Sequence, residues 1–255
     1  MVRIAFAGDR QISVEVLSFL LARGVKPLVL LIPEHPSHGK KLRELCGYLP
    51  PEDILEGRPG SEAAARLGRH RPMYLVAVHY PHLFPPEILT IPSVGAVNLH
   101  PAFLPYNRGW NTPSWAILDG TPVGATLHFM AGEVDSGDII HQREVAVAPE
   151  DTAHTLYQKL LAEEIRVFTE AWPLLLSGKP PRKPNAGGTS HRKADLESVR
   201  EITDSEGLRT LKRIRALTTS DLREAAYIRE GGRRYLLRIE IVPEGEGQAQ
   251  DLSRR

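Results

Sequence analysis

Three polar side chains in the 95–142 stretch have the types and spacing to move an acyl group. Asn98 and His100 end an apolar run and stand two residues apart. On a strand that spacing puts both on one face, while Leu99 between them points to the other, into a core. Pro101 follows at once and ends the strand. A polar pair at a strand's carboxyl end is where open α/β sheets bind ligands. The third residue is Asp135, in the turn Val134-Asp135-Ser136-Gly137-Asp138 that follows a second strand. Histidine is the side chain best suited to moving a proton near neutral pH. A carboxylate beside it fixes its tautomer and stabilises its charged form. An asparagine amide can donate to an oxyanion, worth about 3–4 kcal/mol in favourable cases. With no reactive serine or cysteine beside them, the three point to acyl transfer without a covalent enzyme intermediate. The nucleophile is then the acceptor substrate itself.

The elements that must position these residues read as α/β. An apolar run from Val2 to Ala7, closed by Gly8-Asp9, predicts a buried first strand. A helix follows over 12–22, with Val16, Leu17, Leu20 and Leu21 at helical spacing, then a strand over 27–32. This β-α-β start implies parallel strands with a right-handed crossover. The Gly8-Asp9-Arg10-Gln11 turn holds one glycine, so the dinucleotide fingerprint is missing and nicotinamide binding is disfavoured. Residues 33–60 read as an irregular loop. His35, His38 and Cys46 there match no trusted zinc spacing, and Lys40, Lys41 and Arg43 make only a weak basic cluster. A short helix over 61–70 with Ser61 as N-cap, and a strand over 73–78, come next. Strands over 123–130 and 138–147 flank the Asp135 turn. His128 alternates with Leu127 and Phe129 there and reads as a structural histidine. Asp151-Thr152 caps a long helix with Leu156, Leu160, Ile165, Phe168 and Trp172 as its core stripe, ended by Gly178-Lys179-Pro180-Pro181.

The chain has 255 residues, a hydrophobic content of 42% and a formal net charge of +1. That size fits one large α/β domain with a small appendage. Near-zero charge gives no global drive toward nucleic acid or membrane. Cys46 is the sole cysteine, so no internal disulfide can form. No apolar run approaches membrane-span length, and the amino terminus runs straight into a strand-turn pattern. A soluble cytoplasmic protein is expected. The composition changes at Arg182. A short basic helix over 208–217 and a hairpin, 225–229 with 233–242 around Gly231-Gly232, follow the loop 185–193, and a polar tail from Glu244 is expected to be disordered. From 182 to 255 there are sixteen basic and twelve acidic residues, too mild a balance for a surface that tracks phosphates. The expected architecture is a Rossmann-like, mostly parallel sheet flanked by helices over 1–181. A small α+β subdomain with the hairpin follows over 182–255.

Several blocks, in order, resemble the formyltransferases that use 10-formyltetrahydrofolate. They are Asn98-Leu99-His100-Pro101, Leu104-Pro105-Tyr106-Asn107-Arg108-Gly109, Gly124-Ala125-Thr126-Leu127-His128 and Val134-Asp135-Ser136-Gly137-Asp138-Ile139. The resemblance implies that Asn98, His100 and Asp135 are the catalytic trio. It implies 10-formyltetrahydrofolate as co-substrate and no metal. His82, Leu83 and Phe84, with Asp138 beside the catalytic turn, fall to the folate pocket. Tyr106, Arg108, Trp110 and Asn111 fall to the acceptor. Arg108 has the planar fork that suits a phosphate or carboxylate, and Trp110 could stack on a base or sugar. Asn111 or Thr112 would cap a helix with Pro113 in its first turn. The Trp110-Asn111-Thr112-Pro113 run and the Gly188-Thr189-Ser190-His191-Arg192-Lys193 loop look closest to the branch acting on nucleotide-linked amino sugars, with dTDP as the expected nucleotide. A methionyl-tRNA formyltransferase-like enzyme and a non-catalytic folate- or sugar-nucleotide-binding protein are the rivals. The exposed hairpin edge could pair across a homodimer.

Overall fold

The computed structural model describes residues 2–149, 151–200 and 207–241. The chain runs β1 (Ile4–Gly8), α1 (Arg10–Leu21), β2 (Leu30–Ile32), α2 (Gly39–Leu45), β3 (Ile54–Glu56), α3 (Ser61–His70), β4 (Tyr74–Val78) and α4 (Pro86–Leu89). It continues through β5 (Gly95–His100), β6 (Arg108–Gly109), α5 (Thr112–Asp119), β7 (Gly124–Phe129), β8 (Ile139–Glu144) and α6 (Ala153–Leu176). Last come β9 (Ser190–His191), α7 (Leu208–Ala216), β10 (Ala226–Glu230) and β11 (Arg233–Leu237).

Seven strands form one sheet in the order β3-β2-β1-β4-β5-β7-β8. The five from β3 to β5 pair in parallel, whereas β7 is antiparallel to both β5 and β8. The expected mostly parallel, helix-flanked sheet is therefore present. Strands β1 to β3 march to one edge. The chain then returns to lay β4 against the other side of β1, so the order reverses between β1 and β4. Open sheets bind ligands in the crevice at such a point, outside the carboxyl ends of the strands.

Period-two alternation divides the side chains between two cores. Phe6, Val76, Val78, Val97 and Leu99 pack with α1 and with Phe168, Trp172 and Leu175 of α6. Ala5, Ala7, Leu75, Ala77 and Ala96 pack with Ala63 and Leu67 of α3 and with Ile88. Burial on both faces explains why β1 and β4 read as unbroken apolar runs.

The 33–60 segment departs from the expected irregular loop. It contains α2 and the short edge strand β3, whose Ile54 and Leu55 pair with Leu30 and Leu31. Three residues are too few for a periodic signal, and only the sheet edge makes them a strand. Ser61 is the first residue of α3 rather than its cap; Gly60 holds the cap position. The hairpin forms as expected around Gly231-Gly232, ending at Leu237. The tail from Glu244 lies outside the described residues.

Candidate active site

Strand β5 delivers Asn98 and His100 at its carboxyl end, with Leu99 turned into the α6-side core. Strand β7 lies antiparallel beside it in a register that sets His128 directly across from Asn98. Non-sequential residues on one face are thereby brought side by side. Asp135 arrives from the turn between β7 and β8, where its backbone is left-handed at φ 48°. Asp and Asn tolerate that conformation better than other residues with side chains.

The three expected catalytic residues converge. Asn98 Nδ2 donates to Asp135 Oδ1 at 3.2 Å and lies 3.3 Å from His128 Nε2. His100 Nε2 stands 3.4 Å from Asp135 Oδ2. The Gly109 N–H donates to that same Oδ2 at 3.0 Å. His128 Nδ1 sits 2.7 Å from the Phe129 carbonyl, which can only accept. Nδ1 therefore carries a proton, while Nε2 also stands 3.5 Å from Asp135 Oδ1. Asn98 and His128 thus both flank Oδ1 of the Asp135 carboxylate.

The other expected site residues are more dispersed. His82 lies edge-on to Tyr80, and Leu83 is 72% exposed. Phe84 stacks on Tyr80 and is buried in the α3-side core. Asp138 is half-exposed, 3.6 Å from Arg182. Arg108 donates through Nε to the Pro105 carbonyl at 3.3 Å and through Nη2 to the Gly187 carbonyl, so part of its fork is already engaged. Trp110 is 41% exposed, with the Lys193 ammonium 5.3 Å from its ring centroid. Tyr106 lies in the same turn, partly buried. Asn111 holds the N-cap position of α5 at φ 58°, with no side-chain cap bond, and gives its amide to Glu224 at 3.0 Å. Among the described residues no group of three or more His, Cys, Asp or Glu could hold a metal ion.

Residues 56–172 match the formyl transferase family model. Over 236 residues the chain is 33% identical to a dTDP-4-amino-4,6-dideoxyglucose formyltransferase of Mycobacterium bovis, covering 90% of this chain and 98% of that one. The chain belongs to the formyl transferase family. A 4-N formyltransferase from Francisella tularensis superposes with a TM-score of 0.78 at 25% identity, over 94% of this chain and 98% of that one. The formyltransferase PseJ from Anoxybacillus kamchatkensis, solved with UDP-4,6-dideoxy-4-formamido-L-AltNAc and tetrahydrofolate, superposes at 0.58 and 25% identity. That match covers 77% of this chain and 88% of that one.

In this formyltransferase, burial sets the charge states. Burial is the main force on His100 and brings its imidazole below the ordinary 6.5, against the opposing pull of Asp135. Burial also pushes the Asp135 carboxyl up, but His100, then His128 and the Gly109 N–H, outweigh it and leave it well below the usual carboxylate range. Near neutral pH the pair is therefore a neutral imidazole beside a charged carboxylate.

Several residues beside the candidate site were not legible beforehand. His128 is structural in its Nδ1 bond, yet its Nε2 faces the trio. His79, after β4, turns at φ 51° and meets both oxygens of the buried Glu164 of α6 at 2.9 and 3.0 Å. Gly109 contributes a backbone donor, which no side-chain motif announces. For His128 the one sequence signal is its place in a block between the N-x-H and D-x-G motifs.

Proposed function

We propose that this formyltransferase moves the formyl group of 10-formyltetrahydrofolate to the 4-amine of a dTDP-linked 4-amino-4,6-dideoxysugar. One observation carries the reading: at the carboxyl end of β5 the Asp135 carboxylate lies 3.2 Å from Asn98 and 3.4 Å from His100. Near-complete coverage of the dTDP-sugar relative supports the acceptor class over tRNA. The convergence of all three polar groups supports turnover over mere binding.

The neutral acceptor amine attacks the formyl carbon, and the carbonyl oxygen becomes an oxyanion. Asn98 then donates to that oxygen in place of one of its present acceptors. Neutral His100 accepts the proton that the amine loses as its bond to carbon forms. Asp135 faces the resulting imidazolium and stabilises it. Collapse of the intermediate breaks the bond from carbon to N10 of the folate, and the proton on His100 is delivered to N10. The formamido sugar and tetrahydrofolate leave, and no net proton is released. His82, Leu83, Phe84 and Asp138 are assigned to the folate side, and Tyr106, Arg108, Trp110 and Asn111 to the acceptor side. Residues 182–255 are read as a subdomain built onto the catalytic domain 1–181. Support for this comes from the packing of Leu196, Leu217 and Ala226 around Trp115.

No described helix is long and apolar enough to cross a membrane. A cytoplasmic location and a homodimer through the hairpin edge complete the proposal. Ile228, Tyr235 and Leu236 are exposed on that hairpin. Light scattering should give twice the chain mass; a single-chain mass at micromolar concentration would remove the dimer.

The direct test is steady-state formylation of dTDP-4-amino-4,6-dideoxyglucose, with formylatable tRNA in parallel. Sugar formylation is expected. Asn98→Ala should cost about 10²–10³-fold in kcat, and His100→Ala about 10²–10⁴-fold. Formylation of tRNA alone would overturn the acceptor, and wild-type rates in both variants would overturn the site.

A further inference from the structure

The Asp135 turn is held by a residue far from it in sequence. Lys183 forms a two-way backbone bridge with Ile139 at the start of β8, at 2.8 and 3.0 Å. Two residues on, Asn185 Nδ2 donates to the Asp135 carbonyl and to the Gly137 carbonyl, both at 2.9 Å. Two carbonyls can only accept, so the amide must present its nitrogen there, and its two hydrogens are both used. These bonds fall on either side of Ser136, within the turn whose left-handed residue is Asp135 itself.

The same strand of chain then reaches the other side of the catalytic carboxylate. The Gly187 carbonyl accepts from Arg108. Thr189 Oγ1 accepts from the Asn107 N–H at 2.9 Å. Ser190 and His191 pair as β9 with Arg108 and Gly109. Gly109 is the residue whose N–H donates to Asp135 Oδ2. Residues 183–191 therefore fix the backbone under Asp135 at one end and the donor to its side chain at the other.

We infer that Asn185 is a positioning residue for the transfer reaction: by bonding the Asp135 and Gly137 carbonyls it fixes the turn that aims the Asp135 carboxylate at His100. This rests on the catalytic assignment of Asp135 above. A carboxylate moved by about 1 Å is enough to cost on the order of 10²-fold in turnover.

Asn185→Asp keeps the shape and removes both donors, setting oxygens against two carbonyls. Asn185→Ala removes the group altogether, and Asn185→Ser keeps one donor. The full-length variants are assayed with 10-formyltetrahydrofolate and the dTDP-amino sugar, with thermal unfolding measured in parallel. The expected result is a fall in kcat on the order of 10²-fold for Asp and Ala, a smaller fall for Ser, and KM values within about threefold of wild type. The acid limb of the kcat profile should also move to lower pH, because His100 loses the neighbour that supports its charged form. A purely structural residue would lower the unfolding temperature and leave that limb in place. Wild-type kcat in folded variants, or a KM rise with kcat unchanged, would overturn the inference. Asp135→Asn serves as the control: if it turns over like wild type, the catalytic assignment itself fails. If it is impaired while the Asn185 variants are not, the positioning role alone fails.

Discussion

In the proposed mechanism His100 carries the proton, so its titration is expected to set the acid side of the activity. Burial brings its imidazole below 6.5, and a base must be neutral to accept. The rising limb of kcat/KM against pH is therefore expected below pH 6.5. Asp135→Asn removes the opposing charge, so the limb should move lower still while the maximum falls, because a weaker base accepts less well. A limb at or above 6.5 in the wild-type profile would contradict the burial argument. Asn98 and His100 were legible as a pair because strand alternation fixes their common face whatever the fold around them. His128 was only half legible. Its alternation with Leu127 and Phe129 announced a buried strand, but which residue stood across from it depended on the β5–β7 register.

Helix α6 is the element on which the site side of the sheet rests. It presents Phe168 and Trp172 to the core, and Glu164 to His79. Its amino end is fastened by a reciprocal pair of bonds, Thr152 with Thr155, at 3.0 and 3.3 Å. Asp151 adds to it by accepting from the Ala148 N–H and from Lys159, both at 2.7 Å. Burial pushes the Asp151 carboxyl up, but Lys159 and the other donors bring it below the ordinary range. Arg215 of α7 reaches the Asp151 and Ala148 carbonyls at 2.8 and 3.0 Å, which couples the appended helix to this start. Asp151→Ala should lower stability by about 1–3 kcal/mol, read from denaturant unfolding, with kcat preserved in the folded fraction. An unchanged midpoint would show that Thr152 and Thr155 suffice. The helix was legible because 24 residues of amphipathic pattern outvote any local ambiguity. The three residues of β3 were not, since an edge strand that short is defined by its neighbour.

For the whole molecule, the same buried groups predict how stability responds to acid. His100 has a lower pKa folded than unfolded, so below pH 6.5 the unfolded chain binds the extra proton and stability falls as pH drops. Asp135 is also depressed on folding, so its contribution is present above the ordinary 3.8 and is lost as pH falls through that region. Thermal unfolding should therefore show a first loss beginning below pH 6.5 and a second below about pH 4. His100→Gln should remove the first; a wild-type midpoint flat from pH 7 to 5 would exclude it. The sequence by itself determined the parallel core, the long helix, the hairpin and the three polar residues proposed as the catalytic trio. Each of these is written in local periodicity or in side-chain types that only certain chemistry requires. Only the tertiary structure decided that His128 faces Asn98, that the Gly109 N–H serves Asp135, and that Asn185 holds its turn. Those contacts join residues 26 to 50 apart. They depend on strand register and on where a distant segment folds back, and no periodicity within one segment encodes either.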